Sequence, residues 1–505
     1  MKTRYNDLSI TARLPDELLA KIMTYAVSTY EYTQDRTIQV ANVCTLWRRV
    51  ALNCPYLWNR VKYVKSIEWL TEMVIPRSGH LPLHIVLTDE KWPRGLDVIL
   101  GEIHRIEHLT CYVDQRKAKE VLRNLTRAAP MLKTCAMTTY PVFKLPYYPF
   151  ANYSPKLTTL SLNNFTLPRG SSFMSGLTEF VYKYAYLPSA GVPLSHLMDL
   201  LAAAPQLVTL ELRNACSAID TATTVHVHLP HLQHLIFDDH TIICTSFLSN
   251  VIHPPTTYLN ICTAQSSRRN NVAIRELAEE LGTHIVDVVS LRIENNHQNT
   301  YKVELDYTTE SQADHAQVKV RLWEIEQIQA FVETLSLQHL QVLKLRLTSI
   351  TEAVLNITSN SHCLNTLVFD SSGCVSYVPL LDGISKDEVK SVHRLHKDIF
   401  RTQPERFRSS DPASHISKMK NSLAFMLKHA SPVPGPLRFP SLRSLSIIGR
   451  GYQSNHDLIS LAALARLRAN RGSPLNKLYF SNYDNRDTEY LTLIRDVVAS
   501  IYCEG

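Results

Sequence analysis

Apolar positions follow two different periods in this chain. Between Leu14 and Trp58 they recur at steps of three and four, the period of a helix face. Leu18, Leu19, Ile22, Met23 and Ala26 form one stripe, and Val40, Val43, Cys44, Trp47, Val50 and Ala51 form a second. Pro15 suits a first helical turn, where its missing N–H costs nothing. Asp16 and Glu17 place negative charge at the positive end of that helix. The polar run STYEYTQDR separates the stripes as a loop, Arg48 and Arg49 fall on the wet side, and Pro55 ends the second helix. Leu57 and Trp58 add an apolar anchor just beyond it. The pair exposes more apolar face than two short helices can bury. It is either the first layer of a larger core or a docking module.

From residue 80 onward the frame changes to apolar-x-x-apolar-x-apolar. It starts at Leu157, Leu177, Leu207, Leu232, Val288, Leu340, Leu364, Leu442 and Leu475, with weaker copies at Ile106, Leu132 and Thr256. Three fixed apolar positions match by chance about 9% of the time, so the frame alone is a weak signal. Proline strengthens it. Pro130, Pro155, Pro205, Pro230, Pro255, Pro440 and Pro474 stand one or two residues before a frame, where proline stops a helix and tolerates a strand start. Helical runs such as AKEVLRNLTRAA and LSHLMDLLAAA precede some of them. A strand plus a helical or irregular return every 20 to 30 residues or so is the cadence of a leucine-rich repeat. The expected fold is therefore α/β: a helical N-terminal module, then an irregular leucine-rich-repeat solenoid. Its parallel strands would lie on the concave side and its helices on the convex side. The alternative is a conventional α/β domain with a parallel sheet.

Two gaps interrupt the cadence. Residues 294–335 predict a hairpin insertion, with strands at YKVELDY and QVKVRLW and a helix ending near Leu335. Residues 371–439, with SSDPAS and SPVPGPLRFP, read as a mobile insertion carrying one helix near 414–429. The domain map is then a tail at 1–12, the helical module at 13–60 and a connecting segment at 61–100. Repeats follow at 101–370, then the insertion at 371–439 and further repeats at 440–505.

Composition narrows the function. At 505 residues the chain exceeds one hydrophobic core. The net charge of +7 is spread without long single-sign blocks, so solvated surface explains it better than nucleic-acid affinity. Ten scattered cysteines, with no C-x-x-C pair, read as reduced buried thiols. The start, MKTRYNDLSITAR, lacks the apolar core of a signal peptide, and no run of about eighteen apolar residues predicts a membrane span. A cytoplasmic or nuclear location is expected.

No Walker loop, G-x-S-x-G or H-E-x-x-H is present, and the cysteines lack zinc-ribbon or RING spacing. His226, His228, His231, His234 and His240 invite a metal reading, but no cysteine or acidic cluster completes them. Arg401, Arg406 and Arg408 interleave with Phe400 and Phe407, a pattern also met in nucleic-acid grooves. Asp398 and Glu405 dilute that field, and a solvated loop is preferred. No catalytic, metal or cofactor site is assigned.

The run Leu14-Pro15-x-Glu17-Leu18-Leu19-x-x-Ile22 resembles the opening of the F-box, and Val43-Cys44-x-x-Trp47-Arg48-Arg49-Val50-Ala51 resembles its closing helix. Cys54-Pro55-Tyr56-Leu57-Trp58 and Arg77-Ser78-Gly79-His80-Leu81-Pro82-Leu83 resemble segments of F-box-like proteins of mushroom-forming fungi. The resemblance is specific over residues 13–87. It implies a non-enzymatic substrate-recognition subunit of an SCF-type cullin–RING ubiquitin ligase. The box would bind the adaptor subunit, and cullin through it, while the repeats hold a protein substrate. Leu14, Pro15, Leu18, Leu19, Ile22, Val43, Cys44 and Trp47 match the positions that carry or support adaptor contact. A scaffold that keeps the fold but has left the ligase is the alternative.

Strand alternation turns one residue per frame away from the core. The strip so formed runs Ser161, Val181, Glu211, Ile236, Asn260, Arg292, Lys344, Val368, Ser446 and Tyr479. Arg292 and Lys344, with Arg346 just beyond, make its later half a candidate surface for an acidic or phosphorylated segment.

Overall fold

The structure is a computed structural model. It describes residues 10–28, 33–61, 69–87, 96–114, 118–169, 172–185, 191–218, 226–263, 271–285, 287–296, 300–308, 315–346, 361–370, 437, 439–448, 455–481, 491 and 494–504.

Three helices open the chain: α1 Asp16–Ser28, α2 Thr33–Ala41 and α3 Thr45–Leu52. Leu19, Met23 and Val27 of α1 turn inward at steps of four, onto Val50 and Ala51 of α3 and Thr37 and Ala41 of α2. The polar run read as a loop ends inside α2, whose first turn it supplies. Ile38, Val40 and Ala41 are that helix's only apolar side chains, too few to give a stripe, and it is held instead by Thr37, whose buried hydroxyl donates to the Leu57 carbonyl at 3.2 Å. Nor does one helix run from Val40 to Ala51. Cys44 is extended (φ −158°, ψ 177°) and separates α2 from α3.

Contacts divide the chain into two units. The first holds Met1–Asp239 and Ser246–Pro254, and the second His240–Thr245 and Pro255–Gly505.

In the first unit eight described strands of the long sheet follow the helices: β1 Arg60–Val61, β2 Leu83–Leu87, β3 Ile106–Asp114, β4 Thr134–Lys144, β5 Thr159–Thr166, β6 Glu179–Lys183, β7 Thr209–Arg213 and β8 His234–Asp239. Each pairs with the next, always in parallel. Parallel neighbours need a crossover. Helices Leu96–Gly101, Ala118–Asn124 and Leu194–Ala202 and the short turns Pro149–Asn152 and Ser172–Met174 supply them. The frame residues stack in register: Leu160, Phe180, Leu210 and Leu235 form one buried column, and Leu162, Tyr182, Leu212 and Phe237 the next. Each such burial contributes roughly 1.5–3 kcal/mol. The sheet starts at Arg60, the last residue of the helical module, and β1 and β2 bring it through the segment read as a connector: β1 has only two residues, and β2 has a proline, Pro82, where a frame would start.

Polar side chains tie the strand ends together. Asn164 takes φ +63°, a region asparagine tolerates. Its amide donates to the Thr139 carbonyl at 2.8 Å, and its oxygen accepts from the Ala185 N–H at 2.9 Å. Asn214 (φ +47°) donates to the Tyr184 carbonyl at 3.2 Å, and Asp239 accepts from the Cys216 N–H at 3.0 Å. Thr139 in turn donates to the Val113 carbonyl at 2.8 Å. These bonds run between neighbouring strands and turns of the first unit, so buried backbone groups there are satisfied. Asn164→Ala should cost about 1–3 kcal/mol, because it leaves the buried Thr139 carbonyl and the part-buried Ala185 N–H without this partner. Asn164→Gly keeps the backbone easy and should cost less. Urea unfolding of both variants checks this, and equal costs would place the effect in the lost hydrogen bonds alone.

In the second unit nine strands are described: β9 Tyr258–Thr263, β10 Asp287–Asn296, β11 Thr300–Thr308, β12 His315–Leu322, β13 Val342–Arg346, β14 Thr366–Asp370, β15 Ser444–Ile448, β16 Lys477–Ser481 and β17 Ser500–Glu504. β10, β11 and β12 are antiparallel, as the hairpin reading expects, and β12 pairs in parallel with β9. The hairpin therefore lies between β9 and β10. From β10 onward, β13 to β17 pair in parallel in chain order. Helices Asn271–His284 and Ile325–Thr334 pack on each other.

Every frame named from the sequence carries a strand, and β17 adds one it did not predict. Most of the 371–439 insertion, including the helix expected at 414–429, lies outside the described residues. No helix among the described residues is long and apolar enough to cross a membrane.

Candidate functional site

α1 has two faces. Leu19 is fully buried, whereas Leu18, Ile22 and Tyr25, at steps of four and three, are 50%, 49% and 74% exposed. Pro15 is exposed beside them, and Leu14 is half-buried. Val43, on the turn between α2 and α3, is 59% exposed, while Cys44 and Trp47 are half-buried. Of the expected docking residues, then, Leu18, Ile22, Pro15 and Val43 offer surface and Leu19 supports it from the core. Tyr25 was missed because its tyrosine hydroxyl broke the apolar stripe. Exposed apolar side chains clustered this way mark an interaction face. Arg49 of α3 forks onto both carboxylate oxygens of Asp16 at 3.0 Å, which sets the start of α1 against α3. Both groups are exposed, so the pair contributes only about 0–1 kcal/mol.

The segment after the helices joins them to the sheet. Trp58 is 4% exposed, and its indole N–H donates to the Ala51 carbonyl at 2.9 Å. Arg77 lies over its ring, 5.7 Å from the centroid. Asn59 donates to the Pro82 carbonyl at 3.0 Å. The buried guanidinium of Arg105 donates to the Ser78 hydroxyl and to the Gly79 and Leu81 carbonyls at 2.7–3.1 Å, and it pairs with Glu102 at 2.8 Å. Gly79 needs its φ of +55°, which few other residues adopt cheaply. The Arg77–Leu83 segment is thus a joint.

Beside this joint, Thr24, Val27, Tyr56, Arg60, His84 and Glu107 help line a pocket of about 390 Å³. His84 of β2 and Glu107 and His108 of β3 offer ligand atoms within 4.8 Å of one another, the group of three that could hold a metal among the described residues. Burial lowers the pKa of His84, and His108 lowers it further against the pull of Glu107. A hydrogen bond from Lys133 holds the Glu107 carboxyl below its ordinary range. No three of His226, His228, His231, His234 and His240 converge in this way.

The outward strip is present in each unit, with one change. In the first unit Ser161, Val181, Glu211 and Ile236 stand side by side. In the second the hairpin interposes Lys319 and Glu304 between Asn260 and Arg292, and Lys344, Val368, Ser446 and Tyr479 follow in line. Arg292 pairs with Glu294 and, at 3.8 Å, with Glu304. Glu304 also takes Lys302 at 2.5 Å and Lys319 at 3.3 Å. Burial pushes its carboxyl up, but the two ammonium groups outweigh that and hold it below the usual range. Arg346 pairs with Asp370 at 3.8 Å. Lys344 and Arg321 are exposed and have no ion-pair partner among the described residues. The basic residues around Arg401 lie outside the described residues.

A family model described as F-box-like matches residues 11–63, so an F-box-like domain is found there, spanning α1 to β1. No curated protein matches the chain.

Proposed function

We propose that the chain is a substrate-recognition subunit of an SCF-type cullin–RING ubiquitin ligase and catalyses nothing itself. The observation that carries this reading is the exposed Leu18, Ile22 and Tyr25 face on an F-box-like domain. F-box domains typically bind Skp1-like adaptors and, through them, cullin. The sheet region reads as an irregular leucine-rich-repeat array, supported by its in-register columns and by the Asn164 and Asn214 ties between neighbouring turns. Substrate held on that sheet would gain effective concentration near a charged ubiquitin-conjugating enzyme.

The strip of the second unit favours an acidic segment. Lys319, Arg292, Lys344, Arg321, Lys302 and Arg346 outnumber Glu304, Glu294 and Asp370, so positive charge remains after internal pairing. Lys344→Glu with Arg321→Glu should remove bound substrates from an affinity purification and leave the adaptor in place. Arg292→Glu is a poorer probe, since it would crowd three carboxylates together. An unchanged set of partners would place recognition elsewhere. Recovery of adaptor without cullin would favour the scaffold reading instead.

A further inference from the structure

We propose that His84, Glu107 and His108 form a binding site for a divalent transition metal of the zinc class. The backbone builds this site. Leu83 pairs with Ile106, but His84 pairs with His108, so Glu107 is an extra residue on β3, a β-bulge. Neighbouring strand residues normally point to opposite faces. Here the bulge leaves Ile106 and Leu109 buried and turns Glu107 and His108 outward together, beside His84. Bulges recur where a side chain must be re-aimed.

The spacing suits one ion. Tetrahedral zinc with nitrogen and oxygen ligands holds its donor atoms about 3.4 Å apart. His84 Nε2 and Glu107 Oε2 are 3.4 Å apart. The His84 and His108 rings lie 4.6 Å centroid to centroid, and one ligand atom from each of the three residues falls within 4.8 Å of the other two. Two imidazoles and a carboxylate are the donor set zinc accepts, with water as a fourth ligand.

Supporting contacts orient the donors. Thr134 Oγ1 lies 2.7 Å from His108 Nδ1. In the tautomer that donates from Nδ1, Nε2 carries the free lone pair. Lys133 engages Glu107 Oε1 and leaves Oε2 toward His84. Such outer contacts are the usual frame of a metal ligand. The pocket that His84 and Glu107 line gives an ion a way in. The positive charges of Lys133 and Arg60 oppose a cation, and Glu107 offsets them only in part.

The test is calorimetric titration of chelator-treated full-length protein with zinc chloride. Other histidines and cysteines can bind zinc, so the readout is a difference. Wild type should bind one equivalent more than His84→Ala/His108→Ala. Thr134→Val should keep that equivalent and bind it roughly 10–100-fold more weakly. The isosteric Glu107→Gln carries the test if the double variant melts at a lower temperature without metal, and it should also lose the equivalent. Equal stoichiometry and affinity in wild type and Glu107→Gln would overturn the proposal.

Discussion

Leu18→Ala, Ile22→Ala and Tyr25→Ala together should leave the chain folded and abolish capture of the adaptor. All three side chains point to solvent, so their loss opens no cavity. Full burial of an aliphatic side chain by a partner contributes about 1.5–3 kcal/mol. Leu18 and Ile22 are already half buried in the free chain, so together they account for roughly 1.5–3 kcal/mol, or about one to two decades of affinity at 1.4 kcal/mol per decade, before Tyr25 is added. A pull-down with purified adaptor reads the loss, and a thermal melt shows that the fold survives. Undiminished capture would remove the basis for assigning a docking role to this face. Leu19→Ala is the contrasting control: it should cost stability, because Leu19 is core.

Trp58→Ala should be the most destabilising single change in the F-box-like domain. Truncating a buried aromatic costs about 3–5 kcal/mol. Here the change also removes the indole hydrogen bond to the Ala51 carbonyl and the Arg77 contact. From the pattern alone Trp47 is the natural candidate for this role, since it sits on the second apolar stripe. It is half-buried, so Trp47→Ala should cost less. Guanidinium unfolding of the two variants, compared by midpoint at equal slope, decides between them.

The strands were legible because each frame puts two apolar residues on one face, and this signal survives irregular spacing. The β10–β12 hairpin was legible for the same reason. What was hidden depends on departures from simple period. α2 is held by Thr37 rather than by an apolar stripe. β1 has only two residues, and β2 has Pro82 where an apolar frame residue would stand. The hairpin's place between β9 and β10 is a fact of pairing that no local pattern carries. The polar ties at Asn164 and Asn214 need a backbone conformation that the residue type allows but does not announce. The His84, Glu107 and His108 group was invisible, because alternation assigns Glu107 and His108 to opposite faces and only the bulge brings them together. The docking face was legible in outline, with Leu19 and Tyr25 exchanging places between core and surface.

The interposed hairpin also bears on how the chain reaches this structure. In the first unit every ladder from β1 to β8 joins strands adjacent in that sheet's chain order. Leu210 meets Leu235, 25 positions on, so each short closure can follow the last. In the second unit Leu259 must meet Val318, 59 positions on, with β10 and β11 between them. Loop-closure entropy rises with that separation, and folding slows as contacts become less local. The first unit can zip in the order it leaves the ribosome. The second must wait until β12 has emerged, and β9 keeps an open ladder edge until then. Refolding followed by pulse-labelled hydrogen exchange should find β3 to β7 protected before β9.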